Sequence, residues 1–188
     1  ENDPDPHARP LLDRWLLARL DSVVDEVSRE LEGYQITRAY RALSDFVVED
    51  LSNWYVRRSR PRFWGNSDRD DMAAAFRTLW EALKTVALLA APVAPFVTDW
   101  LHRALTGESV HLQRFPERLG LDDAELEAEM ADARTVVSLG RAAREDVQIR
   151  VRQPLRRAEV VLPNARTLSP AVLDVVRVGL VEQVVVEP

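Results

Sequence analysis

Cysteine is absent from the 188 residues, which excludes disulfides, thiol nucleophiles, iron–sulfur clusters and cysteine-ligated zinc. Lysine occurs once, at Lys84, although Lys and Arg together number 25. Either a GC-rich genome or selection of the forked guanidinium for phosphate accounts for that bias, and composition does not separate the two. The three histidines, His7, His102 and His111, lack partners at metal-ligand spacing. The six glycines form neither GxGxxG nor GxxxxGK[ST], so no phosphate-cradling loop is present, and there is no Gly-x-Ser-x-Gly elbow for a nucleophile. These residues alone should therefore not make an enzyme. The longest apolar run, Val86 to Val97, is interrupted by Pro92 and Pro95 and falls short of the roughly 20 residues of a membrane span. No basic-then-apolar leader opens the chain, which starts at Glu1 rather than Met. A trimmed terminus or a piece of a longer, cytoplasmic polypeptide is expected. The net charge of -6 excludes a uniformly basic coat.

What is present is globular: 46% hydrophobic and 30% charged. Glu1 to Pro10, with three prolines, reads as a loop or linker. Leu12, Leu16, Leu20, Val23, Val27 and Leu31 then recur at three- and four-residue steps, widened by Trp15 and Val24, as one apolar stripe of a helix. Gly33 suits a left-handed cap. Ile36, Tyr40, Leu43, Val47, Leu51 and Trp54 predict a second helix, ended by Pro61. Asp68 is a plausible N-cap for a third helix with Met72, Phe76, Leu79, Leu83, Val86 and Leu89 inward, stopped by Pro92. A shorter helix carries Phe96, Trp100, Leu101 and Leu105 and closes at Gly107; Ser109 to Phe115 is an extended connection. An acidic stretch from Glu117 to Asp132 holds Leu126, Met130, Ala133 and Val137 at helical spacing, with its charges on a solvated face.

After about Val147 the period changes from 3.6 to 2. Ile149 and Val151 alternate with Arg150 and Arg152 as a half-buried strand; Glu159 to Leu162 and Val184 to Val186 are further strands, with a short helix opening at Ser169-Pro170. The expected fold is mainly α. A helical bundle of about five helices fills residues 1–146, and a small α+β tail follows over 147–188.

The richest chemistry lies in Asn53-Trp54-Tyr55-Val56-Arg57-Arg58-Ser59-Arg60-Pro61-Arg62-Phe63-Trp64. Arginines interleaved with aromatics neutralise phosphates and stack on unpaired bases. The competing reading is structural: Trp54 and Tyr55 in the core, the arginines paired with Asp50, Asp68 or other acids. A second basic cluster comprises Arg141, Arg144, Arg150, Arg152, Arg156 and Arg157, with Glu145 and Asp146 the only acids between. Salt screens charges beyond about 8–10 Å, so a net-acidic chain with local basic clusters can still bind RNA by counterion release.

Asp13-Arg14-Trp15-Leu16-Leu17 resembles the opening of the helical anticodon-binding domain in the isoleucyl/valyl/leucyl branch of class I aminoacyl-tRNA synthetases. Asp50-Leu51-Ser52-Asn53-Trp54-Tyr55-Val56-Arg57-Arg58-Ser59-Arg60 with Phe63-Trp64 resembles the isoleucyl members, in their eukaryotic-like subtype; valyl members usually lack the paired arginines. Leu89-Ala90-Ala91-Pro92-Val93-Ala94-Pro95-Phe96, Ser109-Val110-His111-Leu112, Phe115-Pro116, Leu139-Gly140-Arg141 and Ile149-Arg150-Val151-Arg152-Gln153-Pro154-Leu155 are similar to the family's hinge, connection and junction. The resemblance covers about 11 to 188.

It implies a fragment. The family's His-Ile-Gly-His and Lys-Met-Ser-Lys-Ser signatures are absent, a single lysine cannot supply the second, and the editing domain is missing. It implies ATP and Mg²⁺ as cofactors of a full-length enzyme that attaches isoleucine to tRNA, with none held by these residues. The implied partners are the anticodon arm of tRNA(Ile) and the catalytic domain of the same polypeptide; a monomer and no membrane are expected. Candidate RNA contacts are Asn53 for a base edge, Arg57, Arg58, Arg60 and Arg62 for phosphates, Trp54 and Trp64 for stacking, and Arg150 and Arg152 on the outward face of a strand. Trp54 also lies on the apolar stripe. The alternatives are a valyl or leucyl counterpart, an arginine block that faces the catalytic domain as a joint, and a non-catalytic helical interaction module.

Overall fold

The computed structural model describes residues 4–65, 67–150, 153, 155–162, 167–180 and 183–187. The chain divides into two compact units, Glu1–Asp123 and Ala124–Pro188. The helix over Ala124–Asp146 thus groups with the C-terminal segment, whereas the sequence division at 146 keeps it with the bundle.

In the first unit, α1 (Leu11–Glu32) carries the expected stripe. Trp15, Leu16, Leu17, Leu20, Val23, Val24 and Val27 are buried, and burial of such side chains is worth about 1.5–3 kcal/mol each. Asp13 and Asp21 are buried on the same helix, so each carboxylate needs partners. Asp21 accepts the backbone N–H groups of Leu119 and Leu121 and has Arg118 within 3.7 Å, which pins the 118–121 segment to α1. Arg9, itself buried, donates to Glu81 (2.6 Å) and Thr78 (3.0 Å) and ties the entry segment to α4 (Arg69–Ala90).

The turn after α1 differs from expectation. Gly33 has φ -80°, and Tyr34 takes the left-handed conformation at φ 56°. The turn closes by Tyr34 N–H to Leu31 O (3.0 Å) and Gln35 N–H to Glu30 O (2.7 Å). This bonding pattern places the left-handed residue one position beyond the glycine, at a cost of about 1–2 kcal/mol for a residue with a Cβ.

α2 (Ile36–Asp45) runs on without a break into π-helical turns over Phe46–Val56, where Arg57 N–H reaches Ser52 O, five residues back. The wider turn re-phases the inward face. Ala39, Leu43, Phe46, Leu51, Trp54 and Tyr55 are buried, Tyr40 and Val47 are half-buried, and Ile36 is exposed. Pro61 sits in the first turn of the four-residue α3 (Arg60–Phe63), where proline costs no hydrogen bond.

α4 starts as expected, with Asp68 accepting the N–H of Asp71 at 2.8 Å, and ends before Pro92. Its fully buried positions are Ala74, Ala75, Thr78, Ala82, Ala87 and Leu89, while Phe76 is exposed and Leu79, Leu83 and Val86 are half-buried. Small side chains let α4 pack closely on α1, so its large apolar side chains flank that contact. α5 (Pro95–Thr106) packs on α4 and closes at Gly107, φ 82°. Its expected inward residues Phe96 and Trp100 are exposed, and Thr98 and His102 are buried instead. A short 3-10 turn, Val110–Leu112, interrupts the expected extended connection.

In the second unit, α6 (Ala124–Asp146) buries Leu126, Met130, Ala133 and Val137 as expected and packs on α7 (Pro170–Leu180). Glu129, from the acidic stretch, accepts Ser169 N–H (3.3 Å) and O–H (2.7 Å) at the start of α7. β1 (Arg157–Val161) and β2 (Gln183–Glu187) pair in parallel, from Arg157↔Gln183 to Val161↔Glu187, and α7 supplies the crossover that parallel pairing needs. The strand expected at Ile149–Arg150 is not formed. Ile149 N–H closes back on Arg144 O (2.8 Å), Gln148 takes φ 56°, and the buried Arg144 guanidinium donates to the carbonyls of Arg150 (3.0 Å) and Gln153 (2.8 Å). Val151 and Arg152 lie outside the described residues.

Candidate nucleic-acid interface

Four elements meet where the π-helical segment ends. Tyr55, on its last turn, donates its phenolic O–H to Asp13 Oδ1 at 2.7 Å and lies 3.2 Å from the carbonyl of Ala75 on α4. Arg62 of α3 forks onto the same carboxylate, Nη1 at 2.7 Å and Nη2 at 2.6 Å. Its Nε is 2.8 Å from Asp71 Oδ1, and Nη2 also donates to the Asp71 carbonyl at 3.0 Å. Burial, then the Asp13 charge and hydrogen bond, push the Tyr55 hydroxyl far above the ordinary phenol range. Burial by itself would lower the Arg62 guanidinium; the Asp13 hydrogen bond and charge outweigh it and hold the cation on. The bidentate fork is the strong form of ion pair.

This network corrects two sequence expectations. Arg62 is committed to Asp13 and Asp71 and only 12% exposed in its side chain, so its guanidinium is not presented to a phosphate. Trp54 is buried, with the Arg58 guanidinium 3.8 Å from its ring centroid. That arrangement is a cation–π contact rather than an open stacking face, and it draws Arg58 against the protein. Aromatic edges extend the cluster, with Tyr55 to Phe63 at 6.4 Å and Phe63 to Phe76 at 5.2 Å.

Four other candidates of the block, Asn53, Arg57, Arg60 and Trp64, are exposed to solvent. Arg57 and Arg60 are exposed and have no ion pair within 4 Å among the described residues; Trp64 is 73% exposed. Asn53 is exposed, its Nδ2 3.5 Å from Glu49 Oε1. Arg57, Arg60, Trp64 and Asn53 are thus the exposed candidates of a block whose Arg62 is tied to α1 and α4 by the buried fork. In the second unit Arg150 is exposed and Arg152 lies outside the described residues.

Asp13, Tyr55 and Asp71 carry the geometry and were not singled out as site residues by sequence. The available signal was an acid at position 13 within an apolar stripe, which calls for buried hydrogen-bond or ionic partners. The histidines do not converge: His7 and His111 are exposed, and His102 is buried with Nδ1 2.8 Å from the Glu108 carbonyl. Among the described residues no group of His, Asp and Glu is arranged to hold a metal ion, and no helix is long and apolar enough to cross a membrane.

Residues 13–162 match the family described as "Anticodon-binding domain of tRNA ligase". Similar curated proteins include the isoleucine–tRNA ligase of Thermobifida fusca, 50% identical over 166 residues, covering 86% of this chain and 16% of that protein. That of Thermus thermophilus is 47% identical over 173 residues, covering 88% and 17%. That of Bacteroides fragilis is 41% identical over 192 residues, covering 98% and 17%. The chain therefore spans about one sixth of the length of these relatives. With most of its length inside the matched region, the chain belongs to the anticodon-binding domain family of tRNA ligases.

Proposed function

We propose that this chain is the part of an isoleucine–tRNA ligase that grips the anticodon arm of tRNA(Ile), and that Arg57, Arg60 and Trp64 are among its RNA contacts. The observation that carries the reading is the contrast within one short block. Arg58 and Arg62 are engaged by Trp54, Asp13 and Asp71, while Arg57 and Arg60 stand exposed without an ionic partner among the described residues and Trp64 of the same block is 73% exposed. Guanidinium groups of that kind neutralise phosphates and release counterions. An exposed indole offers a face to an unpaired base, and the Asn53 amide can read a base edge.

In this reading isoleucine activation, with its ATP and Mg²⁺, belongs to a catalytic domain outside these residues, and the polypeptide works as a cytoplasmic monomer. The chain's task is positional: it holds one arm of the RNA.

The test is binding of a tRNA(Ile) transcript to this chain across a salt series. Arg57→Ala/Arg60→Ala should weaken binding and reduce the log–log salt slope by about 1 per lost phosphate contact. A double variant with the parental affinity and slope contradicts the assignment.

A further inference from the structure

At the opposite end of the α2 and π-helical segment from Arg57 stands a second group that the candidate interface does not use. Tyr34, between α1 and α2, is 90% exposed, and its backbone is held left-handed at φ 56°. A non-glycine residue in that region is uncommon. The turn that closes α1 sets this backbone, and it leaves the ring projecting into solvent, where a partner's base can reach its face. Ile36, next but one, is 58% exposed. Arg38 and Arg41 follow one and two turns on; both are exposed and neither has an ion pair within 4 Å among the described residues.

We propose that Tyr34, Arg38 and Arg41 form a second RNA contact, in which Tyr34 stacks on an unpaired base and the two guanidinium groups hold the adjoining phosphates. The proposal rests on the RNA-binding reading above and extends it to the far end of the same segment.

The strip between the two groups explains why there are two. Asp45 and Glu49 are exposed between them, so the surface is no continuous cationic track. Arg41 and Arg57 are sixteen residues apart, about 24 Å along a helix of ordinary rise and somewhat less through the wider π turns. A folded RNA arm spans that distance and meets cations at both ends while passing the acids. A mononucleotide reaches only one end. An aromatic ring flanked by arginine is the combination that holds single-stranded loops, since every base has a face to stack and every nucleotide a phosphate.

The experiment measures affinity across a salt series for the parental chain and three variants: Tyr34→Gly, Arg38→Ala/Arg41→Ala and Arg57→Ala/Arg60→Ala. The probes are a tRNA(Ile) transcript and a fully paired RNA duplex of similar length, with thermal unfolding of each variant alongside. Glycine accepts φ 56° without strain, so Tyr34→Gly should not lower the melting temperature. It should weaken tRNA binding about tenfold, as expected for loss of one stacked base, leave the salt slope unchanged and leave duplex binding unchanged. Arg38→Ala/Arg41→Ala should weaken tRNA binding and lower the slope by about 2.

Parental tRNA affinity and slope in both Tyr34→Gly and Arg38→Ala/Arg41→Ala, the two tip variants, overturn the second contact. If Arg57→Ala/Arg60→Ala loses binding in that same series, the first interface stands without the second. If only the tip variants lose binding, the second contact stands and the assignment at Arg57 and Arg60 falls. A parental chain that binds neither probe overturns both.

Discussion

Arg62 and Asp13, 49 residues apart in sequence, meet in a two-pronged ion pair with oxygen–nitrogen distances of 2.7 and 2.6 Å, and Asp13 is fully buried. Removing one partner of such a pair strands the other charge, at about 3–5 kcal/mol. Arg62→Ala leaves the Asp13 carboxylate buried with only the Tyr55 hydroxyl and should cost about that much in urea unfolding; Asp13→Ala should cost less, because Arg62 keeps its ion pair with Asp71. The double variant should cost much less than the sum of the two, because each single change already breaks the same contact.

Tyr55 shares that carboxylate. Tyr55→Phe keeps the ring packing and removes one charge-assisted hydrogen bond, so it should cost about 2 kcal/mol. Because the folded chain holds this phenol above its ordinary value, the hydroxyl's contribution is complete below about pH 10, the unfolded phenol range, and declines as pH rises beyond it. In an alkaline spectrophotometric titration of the three tyrosines, one should resist ionisation until the chain unfolds, and Tyr55→Phe should abolish that resistant fraction.

Asp99 behaves in the opposite sense. Hydrogen bonds from Arg103 and Ser109, with a lesser one from the Val110 N–H, lower its pKa to about 2. Its contribution is therefore present above the ordinary aspartate range near 4 and lost as pH falls from there through about 2. Hydrogen exchange at the Val110 amide should accelerate across that window after correction for intrinsic rates. Asp99→Asn should show fast exchange at neutral pH already.

Neighbouring arginines should separate by readout. Arg58 lies over Trp54, so Arg58→Ala should lower stability by about 0.5–2 kcal/mol and leave the salt slope of tRNA binding unaltered. Arg57→Ala should do the reverse. An altered slope in Arg58→Ala places that guanidinium on the RNA.

Much of the first unit was legible because its signals are local. The α1 stripe, the Asp68 cap, the stop before Pro92 and the Gly107 turn each depend on residues within a turn or two. What misled was packing at a distance. The alanine face of α4 packs on α1 although Phe76 and its neighbours make the louder apolar pattern, and Phe96 and Trp100 of α5 face outward. The alternation at Ile149–Arg150 resembles a strand, yet Arg144 binds the carbonyls that a strand would use. Tyr34 takes a conformation that local preference assigns to Gly33. At the site, the arginines of one block look alike in sequence; only partners far along the chain separate Arg62 from Arg60.

The most direct test of the account is a hydroxyl-radical footprint of this chain on tRNA(Ile). The account predicts backbone protection confined to the anticodon arm, with part of it lost in Arg57→Ala/Arg60→Ala. Protection of the acceptor arm instead, or a footprint that the double variant leaves intact, contradicts it.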